Sequence, residues 1–218
     1  MSLVPFSDEQ AGALKELIKL VGGGGSYAAR VLGELPEDLV GWLIGDRVRA
    51  ARYENAARLS ARVKEKLKAR GIDEPDHVPP SIAAPLLDAA ADESRDELVD
   101  LWSRLLVNAM DPARSGRIRL RYIDVVKRMD PLDAMILQEV TFVAGLNPPT
   151  HRGYFATALG ISESEVEVSF NNLAELSLLN TKQNLNYSGT PIGSPGTGVF
   201  ANVHLTSIGR QFLEAVQP

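Results

Sequence analysis

The chain has 218 residues, 44% of them hydrophobic and 23% charged, with a net charge of −5 and no cysteine. That length suits one large domain or two small ones, and the missing thiols exclude disulfides, thiolate metal sites and cysteine nucleophiles. The opening MSLVPFSDEQ has neither the basic start nor the apolar run of a signal peptide, and no stretch of about 18 apolar residues offers a bilayer span, so a cytoplasmic protein is expected.

FSDEQAGALKELIKLV reads as a first helix, with Ser7 as N-cap, Gln10 completing a capping box, and Leu14, Leu17, Ile18 and Val21 on one face. The run Gly22–Gly25 ends it. Four glycines raise the question of a phosphate cradle. A P-loop needs a Gly-Lys-Ser/Thr ending between a strand and a helix. No lysine follows Gly25, a helix precedes it, and no βαβ unit is visible. Gly22, Gly23, Gly24 and Gly25 are therefore expected to form a flexible hinge.

SYAARVLGEL is a short helical piece, and Pro36 with Glu37 and Asp38 opens another. Beyond Gly45 runs a long basic helix with a narrow apolar stripe of Val48, Leu59, Val63 and Leu67, stopped by Gly71. DEPDHVPP is a linker, and SIAAPLLDAAA a short helix capped by Ser81. SRDELVDLWSRLLVNAM is the clearest helix, with Ser94 and Glu97 as its capping box and Trp102 on its apolar face. After the turn DPARSG, IRLRYIDVVKRM is predicted helical with Ile123, Val126 and Met129 inward.

The pattern changes at Asp130-Pro131. Three helical segments follow: PLDAMILQEVTFVAG, HRGYFATALG, and ISESEVEVSFNNLAELSLLN, the last with a Ser162–Glu165 capping box. TKQNLNY and GVFANVHL alternate like strands, with the Gly/Ser/Pro-rich loop SGTPIGSPGTG between them. A helix capped by Thr206 closes the chain. This is the element order of a winged-helix module. The expected fold is mainly α: a helical N-terminal domain over 1–130, then a winged-helix-like domain, α with a small β-hairpin, over 131–218.

Charge is distributed in blocks. Residues 45–70 are net +6, 71–111 net −8, 112–130 net +4 and 131–218 net −4. Blocks of opposite sign can complement each other within the fold. Alternatively, Arg47, Arg49, Arg52, Arg58 and Arg62 present a basic surface to phosphate or anionic lipid, with Trp42 and Tyr53 at the interface. That alternative allows peripheral contact with the inner membrane.

Catalytic chemistry finds no foothold. His77, His151 and His204 are scattered, there is no HExxH or GxSxG, and the acid pairs sit at helix starts. No catalytic residue, metal or cofactor is assigned. In a winged helix the third helix meets the DNA major groove. Here that helix carries Glu163, Glu165, Glu167 and Glu175 and no Lys or Arg, which repels phosphate. Asn171, Asn172 and Glu175 are instead candidates for contact with a protein partner from host or phage. Pairing between copies is left open by the narrow stripe on 48–67.

LVGWLIGDRVRAARYENAARLSARVKEKLKARGI, then VPPSIAAPLLDAAADESRDELVDLWSRLLVNAMDP, then YIDVVKRMDPLDAMIL together resemble the abortive infection alpha family of bacterial proteins. The resemblance covers residues 35–135 and implies phage defence, in which an infected cell stops growing or dies before phage mature. Residues 146–218 are expected to be a module particular to this branch. The leading expectation is a non-enzymatic defence protein working through protein contacts. The alternatives are a winged-helix transcriptional regulator, whose basic blocks 45–70 and 112–130 would have to contact phosphate, and an adaptor that neutralises a toxin.

Overall fold

The structure is a computed structural model that describes residues 20–21, 46–144, 152–181 and 203–217, the side chains of 46–50, 141–144, 181 and 203–204 excepted. The hinge Gly22–Gly25, Trp42 and the SGTPIGSPGTG loop lie outside the described residues, as do the side chains of Val48, Arg47 and Arg49. The chain divides into two compact units, residues 1–127 with 215–218, and residues 128–214.

The first unit is built on α1 (Asp46–Ala69), α2 (Pro80–Ala91), α3 (Asp96–Met110), a 3-10 turn at Ser115–Arg117, and α4 (Leu120–Lys127). On α1, Ala56, Leu59, Val63 and Leu67 recur every three or four residues and are all buried, packed toward α2 and α3. Each Leu or Val so placed contributes about 1.5–3 kcal/mol of burial. The helix ends in a Schellman motif: Ile72 N–H bonds Leu67 O at 3.0 Å, Gly71 N–H bonds Lys68 O at 3.1 Å, and Gly71 takes φ +66°.

Two expected caps do not form. α2 begins at Pro80 with no side-chain cap, so Ser81 already lies inside the helix; proline at the first position has no N–H to satisfy. At the start of α3, Ser94 and Glu97 make no capping box, and Arg95 is the flanking residue. Glu93 accepts the Arg95 backbone N–H instead, at 2.9 Å. α3 is the centre of the unit, with every residue from Leu98 to Met110 buried except Asp100 and Arg104. Trp102 is 1% exposed, a core residue. α4 buries Tyr122, Ile123, Val125 and Val126, and Met129 is buried beyond it.

The second unit contains α5 (Pro131–Ala144), α6 (Arg152–Leu159), α7 (Glu163–Glu175), β1 (Leu179–Thr181), β2 (Val203–Leu205) and most of α8 (Ser207–Ala215). The α7 capping box forms as predicted: Ser162 accepts from Glu165 N–H and Glu165 accepts from Ser162 N–H. Val166, Phe170 and Leu173 point inward, and Phe155 meets Phe170 edge to face at 5.3 Å. β1 pairs antiparallel with β2, Leu179 opposite Leu205. Pairing starts earlier than TKQNLNY because α7 closes in a tight turn at Ser177, φ +62°, and the chain is extended directly after it. Thr206 caps α8, its Oγ1 accepting Gly209 N–H at 2.8 Å.

Candidate functional site

The basic helix α1 meets the acids that follow it in sequence. Arg52 reaches Asp88 at 2.5 Å and Asp92 at 3.1 Å. Arg58 donates to Ser94 O at 2.9 Å and lies 3.7 Å from Asp96. Arg62 donates to both Asp96 O and Asp96 Oδ1, at 2.8 and 2.9 Å. Lys66 lies 2.7 Å from Asp100, whose other oxygen is 2.6 Å from Arg104 Nε. That second contact is an ion pair without hydrogen-bond alignment. The spacing on α1 is three to four residues, one helical face, and buried Asn55 completes it by donating to Ala91 O at 3.0 Å. Arg52, Arg58 and Arg62, candidates for an open basic surface, are thus held against α2 and α3.

The ladder ends in a polar node around Asn108, which is 1% exposed. Its Oδ1 accepts from Arg70 at 2.7 Å and Arg114 at 3.2 Å, and its Nδ2 donates to Ala215 O at 2.7 Å. Arg70 also donates to Gln217 O at 2.7 Å. Burial first, then the neighbouring Arg114 charge, lowers the Arg70 pKa, while the Asp111 carboxylate opposes the shift. The node fastens the last residues of the chain to the first unit. In the sequence the only sign of this node is one amide, Asn108, inside the apolar run LLVNAM.

In the second unit the partner-binding candidates separate. Asn171 and Glu175 are exposed on α7. Asn172 turns inward, donating to Arg128 O at 3.2 Å and to Asp133 Oδ2 at 2.6 Å. The outer face of α7 is Ser164, Val168, Asn171 and Glu175, at helical spacing, with Val168 69% exposed. Arg152 holds the flank of the helix, 2.5 Å from Glu167 and 3.9 Å from Glu163. The Tyr154 hydroxyl donates to Glu139 at 2.5 Å, and this bond raises the phenol pKa.

Among the described residues no group of His, Asp and Glu is arranged to hold a metal ion, and no helix is long and apolar enough to cross a membrane. His77 is exposed, and His151 and the His204 side chain lie outside the described residues. The second basic block behaves unlike the first. Arg117, Arg119, Arg121 and Lys127 are exposed, and no described acid lies within ion-pair distance of them. Composition revealed both blocks; only the fold shows which one is consumed.

No curated protein and no solved structure matches the chain. The profile of a family described as abortive infection alpha matches residues 52–216. The match runs from α1 through α8, so it corrects the expectation that residues 146–218 are a branch-specific addition: residues 146–216 lie within the part common to the family. Because the match takes in well over half of the chain, the protein belongs to the abortive infection alpha family.

Proposed function

We propose that the protein is a non-enzymatic abortive-infection effector that acts in the bacterial cytoplasm by binding a protein partner, through the outer face of α7. The observation that carries this reading is the α7 face itself. Val168 stands 69% exposed between Ser164 and Asn171, while the other large apolar side chains of the helix, Val166, Phe170 and Leu173, are buried. An apolar centre with an amide and carboxylates around it is the make-up of a small protein-contact surface. The helix has no Lys or Arg, so a partner with basic side chains fits and a phosphate backbone does not.

The element order α5, α6, α7, β1, β2, α8 supports a winged-helix reading of the second unit, with α7 as its third helix. In this reading the position that elsewhere meets DNA is turned to protein recognition. The test is phage challenge of cells carrying Val168→Asp or Glu175→Lys. Protection is expected to fall while the thermal unfolding of the purified variants stays within a few degrees of the parent. Full protection by both variants would rule out this face.

A further inference from the structure

We propose that Arg117, Arg119, Arg121 and Lys127 form a second binding surface, which takes the phosphodiester backbone of nucleic acid without reading its sequence. The first support is what the fold does with its charges. Of the ten acids of residues 71–111, Asp88, Asp92, Asp96 and Asp100 are drawn to α1, and Asp76 accepts from Ser115 Oγ. Asp111 goes to Arg70 and Arg114, and Glu93 to Arg95. The four cations around α4 are left exposed and unpartnered among the described residues, with Asp124 the one acid on the same exposed helix face.

The second support is local geometry. Ile118 is extended, with φ −79° and ψ 129°, and buried, only 8% exposed. Its neighbours Arg117 and Arg119 are both exposed, about 6.6 Å apart along such a chain. Arg121 follows in the first turn of α4 and Lys127 closes its last. Three of the four are arginines, whose planar fork matches phosphate oxygens in pairs.

The third support separates nucleic acid from an anionic membrane. Lying on a bilayer requires an apolar helix face to insert. α4 spends its apolar residues, Tyr122, Ile123, Val125 and Val126, in the core, leaving only Leu120 half exposed beside the arginines. A surface of fixed cations with one apolar side chain suits a polyanion in water. The chain's net charge of −5 is +4 over residues 112–130 and −9 over the rest, and salt screens that negative charge beyond about 10 Å at 0.1 M. The surface is independent of the α7 face, and either can fail alone.

The test uses the full chain and a short DNA duplex of mixed sequence, followed by fluorescence anisotropy over a salt series. Four phosphate contacts predict a log–log salt slope of about −3.6 and about a 100-fold loss of affinity between 50 and 200 mM salt. The triple variant Arg117→Gln/Arg119→Gln/Arg121→Gln should reduce the slope to about −0.9, and changing the sequence of the duplex should leave the parent affinity within about 3-fold. If the triple variant unfolds early, Arg121→Gln/Lys127→Gln gives the same reading, with an expected slope of about −1.8. Absence of binding at low salt would overturn the proposal. So would unchanged binding by folded variants, or capture by phosphatidylglycerol vesicles with none by the duplex.

Discussion

Asn172 Nδ2 donates to Asp133 Oδ2 at 2.6 Å, and the same carboxylate oxygen accepts the Asp130 backbone N–H at 2.8 Å. Asp133 is 1% exposed, so these bonds replace the water a carboxylate would otherwise hold. Asn172→Leu removes the amide and leaves the buried oxygen one donor short. The expected cost is about 1.5–3 kcal/mol, the range for a hydrogen bond to a charged group. Urea unfolding measures it. In a double-mutant cycle with Asp133→Ala the two losses should not add, because both remove the same contact. Additive losses would show that Asn172 acts through something else.

The same pair shows why the candidate contact face of α7 is only partly legible in the sequence. Asn171 and Asn172 are adjacent amides, and a helix turns by about 100° per residue, so at most one of them faces outward. Spacing alone does not choose between them, because the choice depends on what α7 packs against. The buried carboxylate of Asp133 decides it. Periodic features fared better. The Leu59, Val63, Leu67 stripe and the Ser162–Glu165 box follow from spacing along one helix, and both are present. The Ser94–Glu97 box has the same spacing and is absent, since Arg95 binds backward to Glu93 and the helix starts later. Local patterns fix a helix; competition from a neighbouring charge fixes where it begins.

Glu93 should give the fold an acid-side dependence. Its carboxylate accepts from Arg95 N, Nε and Nη2 at 2.9, 2.8 and 3.0 Å. Burial by itself would raise its pKa; the side-chain and backbone hydrogen bonds from Arg95, with the Arg95 charge, outweigh burial and leave it lowered. A carboxyl lowered in the folded state contributes stability that is full above the unfolded value of about 4.3 and is lost as pH falls through the folded value. Stability should therefore rise with pH in that window. Glu93→Gln should flatten the rise relative to the parent, as seen in denaturation midpoints across the acid range. An identical pH profile for both proteins would refute this role.

The α1 ladder should show a gradient of worth along its length. Arg58 pairs at 3.7 Å with its side chain 41% exposed, so Arg58→Ala should cost at most about 0.5–1 kcal/mol and less still in high salt. Asp100 lies between Lys66 and Arg104, and the three side chains are 20–25% exposed. Asp100→Asn leaves two cations together with no counter-charge. The expected cost is about 1–2 kcal/mol, below that of breaking a fully buried pair because water still screens it. Denaturant melts of both variants at low and high salt give the comparison. Equal costs would mean that the ladder aligns the helices without grading their stability by burial.

Ser177 and Gly209 should respond to substitution in opposite directions, on opposite sides of one turn. Among the described residues, three helices end in a residue with positive φ, at Gly71, Gly160 and Ser177. At Ser177 the motif is complete, with Leu178 N–H on Leu173 O and Ser177 N–H on Ala174 O, both at 2.9 Å. Only there does the left-handed position carry a side chain, at a cost of about 1 kcal/mol. Ser177→Gly should recover most of that cost, since the Ser177 bond to Thr206 Oγ1, at 2.6 Å, uses the backbone carbonyl and survives the change. Gly209 is held by the same turn from the other side. A Cβ there would sit 2.1 Å from Leu178 O, a backbone atom that is also bonded to Thr206 N–H at 3.0 Å. Gly209→Ala must therefore push α8 away from the start of β1, for an expected loss of about 2–3 kcal/mol despite the better helix propensity of alanine. Thermal melts of the two single variants should move apart, upward for Ser177→Gly and downward for Gly209→Ala. A neutral Gly209→Ala would mean that α8 does not sit against Leu178.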